Sequence, residues 1–188
     1  MKSIPRILPV LLAMSVVVGP VLADHCPEEK TTNVPSEHLL AGVDVTQAKL
    51  PDVVRVLGNP NKHEEGAGEG YPPGSGWGEY KWKHGATTVK VSTEFYTSES
   101  GARVESVEVV QISGARSSLK GTGKGLQLAD TEAQMTDLYG VTFVNGTVNG
   151  RELGARTITY CFEDETELSV GLDKAGRVAV IRLMGPIE

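Results

Sequence analysis

The sequence predicts an α+β protein of two tandem units, each a helix packed on a three- to four-stranded antiparallel sheet. Three observations predict it. Lys49-Leu50-Pro51-Asp52-Val53-Val54-Arg55-Val56-Leu57-Gly58 returns in altered form 82 positions later as Thr131-Glu132-Ala133-Gln134-Met135-Thr136-Asp137-Leu138-Tyr139-Gly140. Each copy is followed by runs of alternating apolar residues, the period of a half-buried strand. Between the copies, residues 114–124 are small, polar and glycine-rich, the composition of a linker.

The repeated segment reads as a helix because Val53, Val56 and Leu57 correspond to Met135, Leu138 and Tyr139. That i, i+3, i+4 spacing puts three apolar side chains on one helical face. Pro51 is acceptable in a first turn, where the backbone N–H has no intrahelical acceptor. Thr131 is a better N-cap than Lys49 in the matching place. Gly58 and Gly140 end the two helices where a left-handed backbone costs least.

The first 23 residues have the grammar of a signal peptide: Lys2 and Arg6, then the apolar run Ile7 to Val18, then Gly19-Pro20-Val21-Leu22-Ala23. The run is shorter than the ~20 residues a spanning helix needs, so cleavage after Ala23 is expected rather than retention in a membrane. The product is expected to be secreted or periplasmic and monomeric. Cleavage removes two of the 18 Lys and Arg and none of the 24 Asp and Glu, leaving 16 against 24, a net charge of −8. The basic residues are scattered, with no stripe to neutralise a row of phosphates, so nucleic acid is not an expected partner. Cys26 and Cys161 both lie beyond the leader and are expected to form one disulfide, as thiols in an oxidising compartment do.

Residues 24–36 read as a polar arm, 37–113 as the first repeat unit, 114–124 as the linker and 125–188 as the second. In the first unit Leu39, Leu40, Val43 and Val45 form an extended lead into the helix. Asn61 to Gly78 reads as a long glycine-rich loop, functional or mobile. Three strands follow, carried by Tyr80 and Trp82, by Val89, Val91, Thr93 and Phe95, and by Val104, Val107, Val109 and Ile112. The parity of apolar residues switches between Val104 and Val107, which predicts a bulge. The second unit repeats this with Ile158, Tyr160 and Phe162, then Leu168, Val170 and Leu172, then Val178, Val180, Ile181 and Leu183. Asn145-Gly146-Thr147 is a glycosylation sequon.

The motifs that carry chemistry elsewhere are weak here. His25 beside Cys26 lacks a clustered third ligand. His63-Glu64-Glu65 suggests a cation and Gly66-Ala67-Gly68-Glu69-Gly70 a phosphate, but the glycine run lacks the Lys-Ser/Thr ending of a P-loop and carries Glu69 where an anion would be repelled. Asp164 and Glu165, with Glu163 and Glu167, read as a solvated acidic turn. No Gly-x-Ser-x-Gly elbow appears, and His25, His38, His63 and His84 have no partners at a recognisable spacing. No catalytic residue, cofactor or metal is therefore expected. The residues that point to binding are Tyr71, Trp77, Tyr80, Trp82 and Tyr96, because Tyr and Trp bury much area with little rotamer entropy to lose. For Tyr80 and Trp82 the stronger expectation is that they face the first unit's core, as alternating aromatics do. Trp77, between Gly76 and Gly78, is the better candidate for an exposed contact.

A helix ending in Leu-Gly-Asn-Pro, as Val53 to Pro60 does, followed by antiparallel strands whose last begins after a glycine turn, as at Gly101 to Val104, resembles the repeat unit of the beta-lactamase-inhibitor-protein-like fold. Met135 to Gly140 with Gly176 to Val178 repeat the pattern less completely. Small outer-membrane assembly lipoproteins of bacteria share a related helix and sheet module. The resemblance implies a non-catalytic protein-binding module, an inhibitor in its tandem members, whose two sheets form one concave surface gripping a secreted enzyme. No inhibitory loop residue is carried over by the matching positions. The competing expectations are a small extracytoplasmic hydrolase and a cell-envelope assembly scaffold.

Overall fold

The computed structural model describes residues 34–67, 71–146 and 152–186. The leader, most of the polar arm and Cys26 lie outside the described residues, as do Gly68 to Gly70 and Thr147 of the sequon. In the first half the elements are β1 (Leu39–Leu40), β2 (Val43–Asp44), α1 (Leu50–Leu57), β3 (Lys62–Gly66), β4 (Gly76–His84), β5 (Thr87–Thr97) and β6 (Arg103–Gly114). The second half holds α2 (Glu132–Tyr139), β7 (Val144–Asn145), β8 (Arg156–Cys161), β9 (Glu167–Leu172) and β10 (Val178–Met184).

These elements do not make two helix-on-sheet units. The protein is mostly β: one eight-stranded antiparallel sheet runs in the order β3-β4-β5-β6-β10-β9-β8-β7, beside a two-stranded sheet of β1 and β2 and two short helices. The two halves meet at β6 and β10, where Val180 pairs with Ser113, Ile181 with Ile112 and Leu183 with Val110. Composition explains the joining. Val107, Val109, Val110 and Ile112 in β6, and Val178, Val180, Ile181 and Leu183 in β10, would be apolar edge strands with unpaired backbone if each half kept its own sheet. Paired to each other they occupy the centre, and the charged Lys62-His63-Glu64-Glu65 strand is left at the rim.

That charged strand lies inside the expected loop. β3 has no apolar alternation, and its residues are largely exposed, so nothing in its sequence marks it as a strand. Its pairing with β4 runs from Lys62 opposite Lys81 to Gly66 opposite Trp77. The β6 bulge also differs from the expectation. The register slips between Ser92 and Thr93, so that Ser92 faces Val109 and Thr93 faces Val107. Val107, Val110 and Ile112 are buried on one face, while Val109 turns to the other.

The helices, β1 and β2 cover one face of the sheet. Val53 and Leu57 of α1, Met135 and Tyr139 of α2, and Leu40, Val43 and Val45 pack there on Tyr80, Trp82, Val89, Val91, Val110, Ile112, Ile158, Tyr160, Val170, Ile181 and Leu183 in one continuous core. The helix ends are alike in detail. Gly58 has φ 78° and ψ −168°, and Gly140 has φ 86° and ψ −177°. Trp82 Nε1 donates to the Gly58 carbonyl at 2.8 Å, and the Tyr160 hydroxyl donates to the Gly140 carbonyl at 3.0 Å. Thr131 Oγ1 accepts from the Gln134 backbone at 3.3 Å, while at Lys49 the backbone N–H donates to the Asp52 carboxylate at 3.1 Å.

Residues 121–124 are held rather than slack. The Glu37 carboxylate is buried and accepts from the backbone N–H groups of Leu39, Gly123 and Lys124 at 3.1, 3.1 and 3.0 Å, and from the Tyr139 hydroxyl at 2.7 Å. Among the described residues no helix is long and apolar enough to cross a membrane.

Candidate functional site

Strand alternation assigns every side chain of β4 and β5 to a face. Gly76, Gly78, Tyr80 and Trp82 point to the helices, and Trp77, Glu79, Lys81 and Lys83 point away. Across the ladder Tyr80 faces Val91 and Trp82 faces Val89, while Trp77 faces Glu94. Glu94 and Tyr96 therefore share the uncovered side with Trp77. Tyr71 joins them from the preceding loop, its hydroxyl donating to Glu94 Oε1 at 3.2 Å. Tyr71 is 37 % exposed, Trp77 38 % and Tyr96 52 %; Tyr71 bonds to the Glu94 carboxylate, Trp77 lies opposite Glu94 in the ladder, and Tyr96 is two residues along the same strand.

The glycines beside Trp77 are there for packing rather than for loop freedom. A Cβ at Gly76 would lie 2.3 Å from the Gly66 carbonyl oxygen and 2.7 Å from the Phe95 ring. One at Gly78 would lie 2.6 Å from Thr93 Oγ1 and 2.7 Å from the Tyr80 ring. On the opposite face the indole of Trp77 lies against Gly66, where a Cβ would come within 2.9 Å of it. The rim strand thus gives the Trp77 indole a bed.

Tyr80 and Trp82 do not belong to this surface. They are 3 % and 1 % exposed and lie in the core, where Trp82 reaches the Gly58 carbonyl at the end of α1. The Tyr80 hydroxyl sits between Glu65 Oε1 at 2.6 Å and Glu105 Oε1 at 3.0 Å. Arg103 joins the same two carboxylates, at 2.9 Å each, and lies 3.7 Å over the Phe95 ring. Burial raises the Tyr80 hydroxyl above the ordinary range, and the two carboxylates add to it. Glu65 is held below the usual carboxylate value by its bonds to Arg103 and then Tyr80. This network fastens β3 to the sheet and so supports the bed of Trp77 from behind.

On the uncovered face Glu79 is answered by Lys81 at 2.7 Å and by Lys90. Glu94 has a hydroxyl but no cation among the described ion pairs. Sequence reasoning missed Glu94. The signal was available, since Val89, Val91, Thr93 and Phe95 fix one face of β5 and leave Glu94 and Tyr96 on the other.

The same face is closed over the second half. Thr157, Thr159, Ser169, Glu167 and Arg182 are all buried there, and Leu153 lies against Gly171. Ser169 is 2.8 Å from Thr159 and donates to Glu167 Oε1 at 2.6 Å, while Glu167 Oε2 has no hydrogen-bond partner. Cys161, on the same row, is buried and is not a free thiol. Its expected partner, Cys26, is outside the described residues.

The other sequence candidates separate. His63 stacks on Tyr80 at 5.9 Å and Glu65 bonds to Tyr80, whereas Glu64 alternates to the opposite face, so the three do not converge. Among the described residues no group of three or more His, Cys, Asp or Glu is placed to hold a metal. Asp164 is an anchor rather than a solvated acid: it bonds to His38 Nε2 and takes the Thr166 hydroxyl at 2.7 Å. Burial pushes its carboxyl up, but hydrogen bonds from Ser36, Thr166 and His38 outweigh this and hold it at about 2. No protein-family model, curated protein or solved structure matches the chain.

Proposed function

We propose that the chain is a secreted or periplasmic, non-catalytic protein-binding module that holds its partner on the uncovered face of the sheet over β3, β4 and β5. The observation that carries this reading is the exposed trio Tyr71, Trp77 and Tyr96, with Trp77 bedded on Gly66. Exposed aromatic side chains with little freedom left to lose are what protein interfaces use as anchors. The eight-stranded sheet is continuous, and its uncovered part over β3, β4 and β5 is the platform that carries them. It also suits the single gripping surface that the beta-lactamase-inhibitor-protein-like resemblance implies, and an enzyme of the same compartment is the partner class that resemblance favours.

The test is capture of a partner from the extracytoplasmic fraction of the native organism, with mass spectrometry, using wild type and Trp77→Ala in parallel. Truncating an anchor of this kind costs about 2 kcal/mol or more, roughly a thirtyfold loss of affinity. Retention of the same partner at unchanged affinity by a correctly folded Trp77→Ala variant would refute the site.

A further inference from the structure

A carboxylate in the middle of an aromatic contact patch restricts what can cover it. Interface cores are depleted in charge, because a buried ion that loses its water without gaining a partner is costly. Glu94 faces Trp77 across the ladder, shares a side with Tyr96 and receives only the Tyr71 hydroxyl, at 3.2 Å. On the same face Glu79 is answered by Lys81 and Lys90, and behind the sheet Glu65 and Glu105 are answered by Arg103. A protein that seals the patch must therefore bring the missing positive charge.

The surroundings select the form of that charge. A guanidinium is planar, donates to a carboxylate through two N–H groups and lies face-on against aromatic rings, whereas an ammonium is a compact, strongly hydrated point charge. Tyr71, whose hydroxyl bonds to Glu94, and Trp77 and Tyr96, its neighbours on the same face, offer aromatic rings beside the carboxylate and match the first description. The chain's net charge of −6 adds long-range attraction for a basic surface. Resting on the binding reading above, we infer that the partner seats an arginine side chain on Glu94, beside Tyr71, Trp77 and Tyr96.

The test uses immobilised hexa-arginine, hexa-lysine and hexa-citrulline peptides with the full chain at ~0.15 M salt, where long-range attraction is screened beyond about 8 Å. Citrulline keeps the planar shape and removes the charge. Wild type binds arginine more tightly than lysine, and citrulline least. Glu94→Gln, which keeps an acceptor for Tyr71, weakens arginine binding about tenfold, in line with loss of a charge-assisted bond. Asp137→Asn makes the same charge change on an exposed position of α2 and leaves binding unaltered. Equal losses for the two variants, equal binding of citrulline and arginine, or no arginine binding would each overturn the assignment. If the arginine peptide fails while Trp77→Ala still abolishes capture of the native partner, the arginine seat falls and the binding reading stands.

Discussion

Glu37→Gln tests how the amino-terminal stretch is fixed to the second half. The carboxylate is 3 % exposed and accepts four hydrogen bonds, two on each oxygen: Leu39 and Gly123 N–H on Oε1, Lys124 N–H and the Tyr139 hydroxyl on Oε2. An amide keeps one acceptor oxygen and turns an NH₂ toward two donors, which then lose their acceptor. At about 1–2 kcal/mol for each buried donor left unsatisfied, the expected cost is about 2–4 kcal/mol. For a chain of this size that is a fall in Tm of about 4–16 °C. Urea denaturation and calorimetry of wild type and variant measure it. Tyr139→Phe removes one donor while keeping the ring in place and is expected to cost about 1 kcal/mol alone. Because the two residues share a bond, the double variant should cost less than the sum of the singles. A loss below about 1 kcal/mol for Glu37→Gln, or strict additivity in the cycle, would show that Glu37 does not carry this attachment.

Three further outcomes follow from the same geometry. Asp164 has a folded value of about 2 against an ordinary 3.8, so its contribution to stability is present above 3.8 and is lost as the pH falls towards 2. Urea midpoints of wild type should drop across that window more than those of Asp164→Asn, and parallel curves would contradict the assignment. Gly58→Ala and Gly140→Ala meet no atom within 4 Å, so their cost is that of the backbone alone, about 1–3 kcal/mol each, measured by thermal unfolding. Two unchanged melting curves would mean that the helices can end another way. Trp77→Ala removes a side chain from the uncovered face and should leave the far-UV circular dichroism spectrum as it is; a collapsed spectrum would mark Trp77 as structural.

What could be read from the sequence was what short-range periodicity encodes. The spacing of Val53 with Leu57, and of Met135 with Tyr139, marks α1 and α2, and alternation marks β4, β5, β8, β9 and β10. The choice of strand partners is not encoded locally. β6 and β10 look like terminal strands of separate units, and only their apolar character on both faces hints that they need each other. β3 was lost because a rim strand is protected by charge, and Lys62-His63-Glu64-Glu65 therefore resembles a loop. Val109 lies on the uncovered face because the bulge falls between Val107 and Val109 and not, as the apolar parity predicts, between Val104 and Val107. At the candidate site, residue type nominates five aromatics, and the alternation of Tyr80 with Trp82 and the glycines flanking Trp77 already point the two tryptophans apart. Their opposite parity on β4 is the physical reason.

The β6 and β10 seam has a consequence for anyone who divides the molecule. A fragment ending after Gly114 would carry the whole of Tyr71, Trp77, Glu94 and Tyr96 but would bare the flank of β6 that β10 normally occupies. The chemistry best suited to that vacancy is another β6 running the opposite way. Severed at residue 114, the protein should self-associate into a symmetric pair with two copies of the aromatic patch, and sedimentation would read twice the mass of the fragment.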